Sequence, residues 1–199
     1  MVEIRPYRAD DLDALYQICL LSGDAGRDAT PLYNDPNLLG AIYSAPYGVL
    51  EPQQVFVADD ELGVAGYIVG TFDSDAFSTK LERDWWPHLR EQYAASDDAD
   101  LTAADQQRLT QIRQPSSNPS ALVADFPAHI HMNLHERLRG QGVGTQLLKR
   151  WIADAKAANV AGIHLGANSG NTGGVAFWTR SGFVPQVTIG RTVWFGMTL

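Results

Sequence analysis

The chain has 199 residues and a formal net charge of −8, from 23 acidic and 15 basic side chains, with 45% hydrophobic content. That length fits one domain and a sizeable core; the negative balance argues against a nucleic-acid partner, and no apolar run approaches a membrane span. The single cysteine, Cys19, sits among Leu15, Ile18 and Leu20, so a buried, inert thiol is expected; with no signal-peptide pattern in MVEIRPYRADD, the expected location is cytoplasmic.

Val2 to Pro6 reads as a short strand ended by the proline. Asp10 or Asp11 is placed to cap a helix running to about Leu21, with Leu12, Leu15, Ile18 and Cys19 on one face. Residues 22–31, rich in Gly, Asp and Ser, read as loop, and Leu38 to Tyr43 as a short helix closed by Ala45-Pro46. Val55 to Ala58 and Val64 to Gly70 form a hairpin turned at Asp59-Asp60-Glu61. Gly66 and Gly70 weaken the second strand, which implies a bulge or a close ligand. A helical insert, about residues 73–127, follows. In it Phe77, Leu81, Trp85 and Leu89 recur every four residues and predict a helix, which Pro87 should kink or restart. Thr102-Ala-Ala-Asp105 has the form of a capping box opening a helix with Leu109 and Ile112, and residues 114–120 read as loop.

The stretch from Ala128 to Lys149 carries the strongest chemical signal. Ile130, Met132 and Leu134 alternate with His129, His131 and Asn133, a strand pattern. The chain then turns through Arg139-Gly140-Gln141-Gly142-Val143-Gly144 and becomes a helix from Thr145, with Leu147, Leu148, Trp151 and Ile152 as its apolar positions. Strand, Gly-rich turn and helix N-terminus together make an anion site, because glycines let N–H groups converge and the first helical turn leaves donors unpaired. The spacing is neither that of a triphosphate P-loop nor that of a dinucleotide fingerprint. After it, Val160 to Leu165 is a strand, residues 167–171 a loop, and Gly174 to Arg180 a helix ended by Ser181-Gly182-Phe183. Val184 to Ile189 and Thr192 to Met197 read as two final strands joined near Gly190-Arg191.

The pattern Arg139-x-x-Gly142-x-Gly144 resembles motif A of the GNAT superfamily of N-acetyltransferases, where this turn holds the pyrophosphate of acetyl-CoA. Asn171-x-x-Gly174-x-x-Phe177-Trp178-x-x-Ser181-Gly182-Phe183 is similar to the superfamily's second signature, whose Asn lies near the pantetheine arm and whose Tyr, here Trp178, lies near the thiol. The resemblance implies an α/β (α+β) GNAT fold over residues 1–199. Its mixed central sheet has about seven strands, splayed between the fourth and fifth, with the helical insert before the fourth. More narrowly, Asp125-Phe-Pro-Ala-His-Ile-His-Met-Asn-Leu-His135 after a Trp-containing insert looks like the acetyltransferase-like C-terminal domain of animal O-GlcNAcases and its free-standing bacterial relatives. The animal domains lack the Gly turn and are regarded as pseudo-acetyltransferases. This chain keeps the turn, so the resemblance implies cofactor binding and leaves catalysis open.

On this reading the main-chain N–H groups of Gly140, Gln141, Gly142, Val143, Gly144 and Thr145 face the pyrophosphate, and Arg139 adds a charged bond or is a solvated turn residue. The strands splay just after Leu134, and the backbone of Met132, Asn133 and Leu134 pairs with the cofactor amides, with the Leu134 N–H as an oxyanion donor. Asn171, Phe177, Trp178 and Arg180 complete the expected cofactor contacts. Acetyl-CoA is the expected cosubstrate and an amine of unnamed identity the acceptor. An ammonium is not nucleophilic, so a base is needed: Asp125, His129 and His131 are the candidates, with His135 nearby, each with a hydrogen-bonded structural role as the competing reading. Three histidines on one strand lack a fourth ligand, so no metal is expected. Trp178 cannot act as a general acid, which makes an acetyl-CoA-binding module with little catalysis the alternative. Trp85, Trp86, Tyr93 and the region Tyr33 to Tyr47 either line the acceptor side or, as the favoured reading, form the core of the insert. Residues from Arg139 onward carry +5 and the rest −13, a division that suits an anionic cofactor on one side and a cationic acceptor on the other. Monomer and homodimer both stay open.

Overall fold

The structure, a computed structural model, describes residues 1–94 and 101–199. The short apolar runs become seven strands: β1 (Glu3–Pro6), β2 (Phe56–Asp60), β3 (Gly63–Thr71), β4 (Ala128–Leu134), β5 (Gly162–Asn168), β6 (Val184–Ile189) and β7 (Thr192–Thr198). They form one mixed sheet in the order β1-β2-β3-β4-β5-β7-β6, in which only β4 and β5 are parallel. The helices are α1 (Leu12–Leu21), α2 (Leu38–Tyr43), α3 (Ala45–Leu50), α4 (Ser74–Lys80), α5 (Trp86–Gln92), α6 (Ala103–Arg113), α7 (Ser120–Asp125), α8 (Val143–Ala157) and α9 (Thr172–Arg180).

The splay between the fourth and fifth strands is present, and it begins earlier than the sequence reading placed it. β4 and β5 pair only at Ala128 with Ile163 and His129 with His164, although β4 runs to Leu134 and β5 to Asn168. β4 is paired with β3 from His129 to Leu134, and β5 with β7 along its whole length. Each follows the twist of its own ribbon, and the two ribbons part after His129. The bulge expected near Gly66 is also there: Ala58 pairs with Gly66 but Asp59 with Val64, leaving Ala65 extra. The close neighbours of Gly66 and Gly70 are protein atoms, the Leu134 side chain and the His129 carbonyl.

One sheet face packs on α8 and α9 through Ile130, Leu147, Trp151, Leu165, Trp178 and Phe195. The other packs on α1 and α3 through Leu15, Ile18, Tyr47, Val57, Tyr67 and Val69. Leu38 and Ile42 of α2 form a third cluster with Trp86, Leu89, Leu109 and Ile112 of the insert, with Trp85 and Tyr93 against it, so these aromatics are core between the insert and α2. The Thr102 capping box is formed, and its Asp105, fully buried, also takes the Asn34 N–H at 3.1 Å. Cys19 is buried, and burial pushes its thiol up to about 11.

Several local expectations are corrected. Asp11 makes no side-chain cap to α1; its carboxylate instead takes the Arg5 guanidinium at 2.7 and 2.8 Å and the Arg8 N–H at 2.7 Å. Ala45-Pro46 opens α3 rather than closing the chain's helical run, since a proline in a first turn has no N–H to lose. Asp59 and Asp60 are strand, α8 starts at Val143, β5 extends to Asn168, and α7 follows what reads as loop. Among the described residues no helix is long and apolar enough to cross a membrane.

Candidate active site

The Gly turn opens α8 with a row of main-chain donors. Gly140 and Gly142 sit at φ +75° and +76°, the left-handed region that glycine adopts freely, and a Cβ on either would meet nothing within 4 Å. Gly142 is the N-cap of α8 and makes no side-chain cap, and the first intrahelical bond runs from the Gln146 N–H to its carbonyl at 3.1 Å. The N–H groups of residues 140–145 therefore have no acceptor among the described residues, and they stand at the positive end of a 15-residue helix. Arg139 turns away from them: its Nε and Nη2 donate to the Leu134 carbonyl at 3.2 and 3.1 Å, tying the end of β4 to the turn.

The gap between β4 and β5 leads from this turn into the sheet. The His135 N–H bonds the Ala65 carbonyl at 2.8 Å, which sets the phase of the β3–β4 ladder. Asn133 and His131 then exchange bonds with β3, while Met132 and Leu134 turn their main-chain groups into the gap. The Asn133 side chain is also committed, accepting from Tyr67 Oη at 3.1 Å and donating to Ser22 Oγ at 2.5 Å. Gly144, Met132, Leu134 and Phe177 meet where α8 starts. Asn171 caps α9 by accepting the Gly174 N–H at 2.9 Å, and Gly26 of the loop after α1 lies against its side chain. That loop forms one wall of a cleft of about 300 Å³ whose other wall holds His135, Glu136 and Arg139. Trp178 is 7% exposed, edge-on to Phe177 and Phe183, and Arg180 is exposed on the last turn of α9.

The candidate bases separate clearly. Asp125 is exposed at the end of α7, with no hydrogen bond or ion pair to the histidines. His129 is buried with both ring nitrogens engaged: Nε2 lies 2.6 Å from Tyr47 Oη and Nδ1 2.7 Å from Ser74 Oγ. Ser74 Oγ gives its proton to the Pro127 carbonyl at 2.6 Å, so it accepts from His129 Nδ1–H, and Tyr47 donates to Nε2. His129 is thus a neutral Nδ1–H tautomer; burial, then the neighbouring His131 and His164, hold its pKa well below 6.5. His164, on β5, follows the same logic, with Nδ1 on the Phe126 carbonyl at 2.6 Å and Nε2 facing Asn118 Nδ2 at 3.0 Å. His131 differs. It is half-buried, has no hydrogen-bond partner among the described residues, and stands edge-on to Tyr43 and Tyr47 with ring centroids 5.9 and 5.7 Å away. Burial and then His164 push its pKa down to about 4. It is the one histidine of the three with a free lone pair reaching the surface.

Ser74 and His164 went unnoticed in the sequence, and Tyr47 entered only as the end of the Tyr33 to Tyr47 region, with no link to His129. A polar residue inside the apolar run Ile163-His164-Leu165 is the one signal that singles out His164; nothing local links Tyr47 or Ser74 to β4. Among the described residues no group of three or more His, Cys, Asp or Glu is arranged to hold a metal ion.

The fold has counterparts. The crystal structure of SsHAT superposes with a TM-score of 0.91 at 33% identity, covering 99% of this chain and 98% of that one. The Protein O-GlcNAcase of Rattus norvegicus is 29% identical over 155 residues, which is 77% of this chain and 17% of that protein, so the chain spans about a sixth of that relative's length. The PaiA N-acetyltransferase of Thermoplasma acidophilum, solved in complex with coenzyme A, shares the fold at a TM-score of 0.61 and 13% identity, covering 100% of this chain and 99% of that one. The family model described as Acetyltransferase (GNAT) family matches residues 40–183, from α2 through the Gly turn to the end of α9, and with it the chain belongs to the GNAT acetyltransferase family.

Proposed function

We propose that the protein is an acetyl-CoA-dependent N-acetyltransferase. The observation that carries the reading is one continuous set of unpaired main-chain groups. The N–H groups of residues 140–145 lead directly to the gap-facing backbone of Met132 and the N–H of Leu134, whose carbonyl is held by Arg139. The first set suits a diphosphate and the second an extended chain of amides. GNAT structures with coenzyme A, or with acetyl-CoA in yncA of Salmonella typhimurium, support the choice of ligand.

In this reading the pyrophosphate of acetyl-CoA sits on residues 140–145 and its pantetheine beside Met132 and Leu134, with Asn171, Phe177 and Arg180 along the α9 side. Asn133 acts through its side chain, fixing β4 to Tyr67 and Ser22. The Leu134 N–H polarises the thioester oxygen. The amine nitrogen bonds the acetyl carbon, the C–S bond breaks, and the amine proton passes to the free ring nitrogen of His131. Coenzyme A leaves as a thiolate and takes its proton from solvent, because the indole of Trp178 has none to give at neutral pH. His129, saturated by Tyr47 and Ser74, positions the strand.

The second reading, a module that binds acetyl-CoA without turning it over, is favoured by Trp178 alone. Calorimetric titration with acetyl-CoA and a free-thiol release assay over a panel of amines test both. Binding with amine-dependent thiol release is expected. Binding without release selects the second reading, and no binding refutes both.

A further inference from the structure

The acceptor side of the gap has a composition that narrows the amine. The sheet face carrying His129, His131 and His164 continues sideways through Gly166 to Trp194. His129 pairs with His164, two residues further along stand His131 and Gly166, and Gly166 pairs with Trp194 on β7. The ring contacts confirm that these residues share a face: His129 to His164 is 5.4 Å and His164 to Trp194 is 6.2 Å between centroids. Gly166 is exposed and carries no side chain of its own; a Cβ there would stand 2.9 Å from Thr192 Cγ2 and 3.4 Å from the Trp194 ring, so the Thr192 methyl and the indole border this open stretch of β5. Trp194 and His131 are both half-buried and form the two walls. Two strand spacings separate them, roughly 10 Å before the splay adds to it, which is room for one ring stacked on the indole.

The charges on this face are as informative as its shape. The titratable groups packed around His131 are Tyr43 from α2, Tyr47 from α3, His129 from its own strand and His164 from β5, and burial holds the last three neutral. Among the described residues no carboxylate joins them: Asp125, the acidic candidate, is exposed at the end of α7. An alkylammonium arriving here would shed its hydration and meet no counter-ion among these groups.

We propose that the acceptor is an arylamine, its ring stacked on Trp194 beside Gly166 and its nitrogen toward His131. This assignment rests on the acetyl-transfer reading above. An arylamine is neutral at physiological pH and attacks without a prior deprotonation. Its nitrogen forms the bond to the acetyl carbon, the C–S bond breaks, the proton released as the amide forms goes to the ring nitrogen of His131, and the coenzyme A thiolate is protonated by solvent. A histidine held neutral by burial suffices for that proton, which becomes acidic only as the bond forms. The sequence reading expected a cationic acceptor from the acidic half of the chain. The buried and half-buried acids Asp11, Asp59, Glu51 and Asp105 of that half are spent elsewhere, Asp11 and Asp59 on Arg5, Glu51 on Lys80, and Asp105 on Thr102 and Asn34.

The test compares aniline with benzylamine, cyclohexylamine and a lysine-containing peptide in the thiol-release assay, with acetyl-CoA binding measured in parallel. Benzylamine keeps the aromatic ring and cyclohexylamine the ring size, and both are strongly basic. Aniline should exceed each of the others in kcat/KM by about tenfold or more. Trp194→Ala should raise KM for aniline by about tenfold, as the loss of a stacking partner does, with the acetyl-CoA Kd unchanged; Trp194→Phe should keep most of the affinity. Preference for a basic amine overturns the assignment. So does an unchanged aniline KM in Trp194→Ala, or acetyl-CoA binding with no transfer to any of these amines. Failure of acetyl-CoA to bind at all instead refutes the acetyl-transfer reading itself, and the acceptor assignment falls with it.

Discussion

The phosphate-cradle argument is most sharply tested at Gly142. Its φ of +76° is left-handed and a Cβ there meets nothing within 4 Å, so a side chain fits and only the backbone is strained. That strain is about 1–2 kcal/mol for an L-residue, well inside the roughly 5–15 kcal/mol that stabilises an ordinary domain. It is present with and without ligand and largely cancels in binding. Gly142→Ala therefore isolates strain, whereas Gly142→Glu adds a carboxylate beside the six N–H groups. If the Glu side chain swings out to about 10 Å, each unit charge of a diphosphate still repels it by roughly 1.7 kcal/mol at an effective dielectric of about 20. Two charges give about 3 kcal/mol, more than a hundredfold in Kd, before counting the N–H groups that the carboxylate itself occupies. Calorimetry with acetyl-CoA should show Gly142→Ala within a few-fold of the parent and Gly142→Glu at least about a hundredfold weaker, with part of the loss recovered at high salt. Melting curves should show both variants folded. Acetyl-CoA affinity in Gly142→Glu close to the parent's, or an equal loss in Gly142→Ala, would refute the cradle.

Stability should fall as the pH drops below about 6.5, because His129, His131 and His164 are all held neutral in the fold. Their folded pKa values lie below the unfolded one, so the unfolded chain binds more protons in between and gains on acidification. His131, pushed from 6.5 to about 4, alone contributes about 2 kcal/mol of loss by pH 5; urea unfolding that is flat between pH 7 and 5 would contradict this. The lowered carboxyls of Asp11 and Asp105, held by their Arg5 and Thr102 bonds against the opposing effect of burial, act in the same direction but only below the ordinary carboxylate range. Tyr47→Phe strands the buried Nε2 of His129 and should cost about 1–3 kcal/mol in the same assay; a neutral result would mean that the ring flips or finds water. Trp178→Tyr should leave the rate of acetyl transfer undiminished while lowering the melting temperature, since Trp178 packs on Phe177 and Phe183. A sharp fall in rate with acetyl-CoA binding intact would show that the indole has a part in the chemistry.

What could be read from the sequence, and what could not, divides by the range of the interactions. The Gly turn and the Thr102 capping box are contiguous, and their geometry follows from the residues themselves. The splay is different: where it starts depends on how long β5 stays paired with β7, a register set by chain arriving thirty residues later. The role of His129 depends on Tyr47 and Ser74, 82 and 55 positions away, and no periodicity encodes those meetings. Asp11 reads as a cap until its competitor Arg5 is in place on β1. The insert shows a subtler case. Phe77, Leu81, Trp85 and Leu89 repeat every four residues, and an α-helix advances about 100° per residue, so each step overshoots a full turn by about 40°. The stripe must therefore swing around the helix rather than face one partner. It does: Phe77 packs with the sheet cluster under α1, Leu81 touches both that cluster and the insert's own, and Trp85 and Leu89 belong to the insert. A π-helical turn over Leu81–Trp85 widens the coil where the handover occurs. The spacing was thus sufficient to predict a helix and, taken literally, to predict that one helix would join two cores.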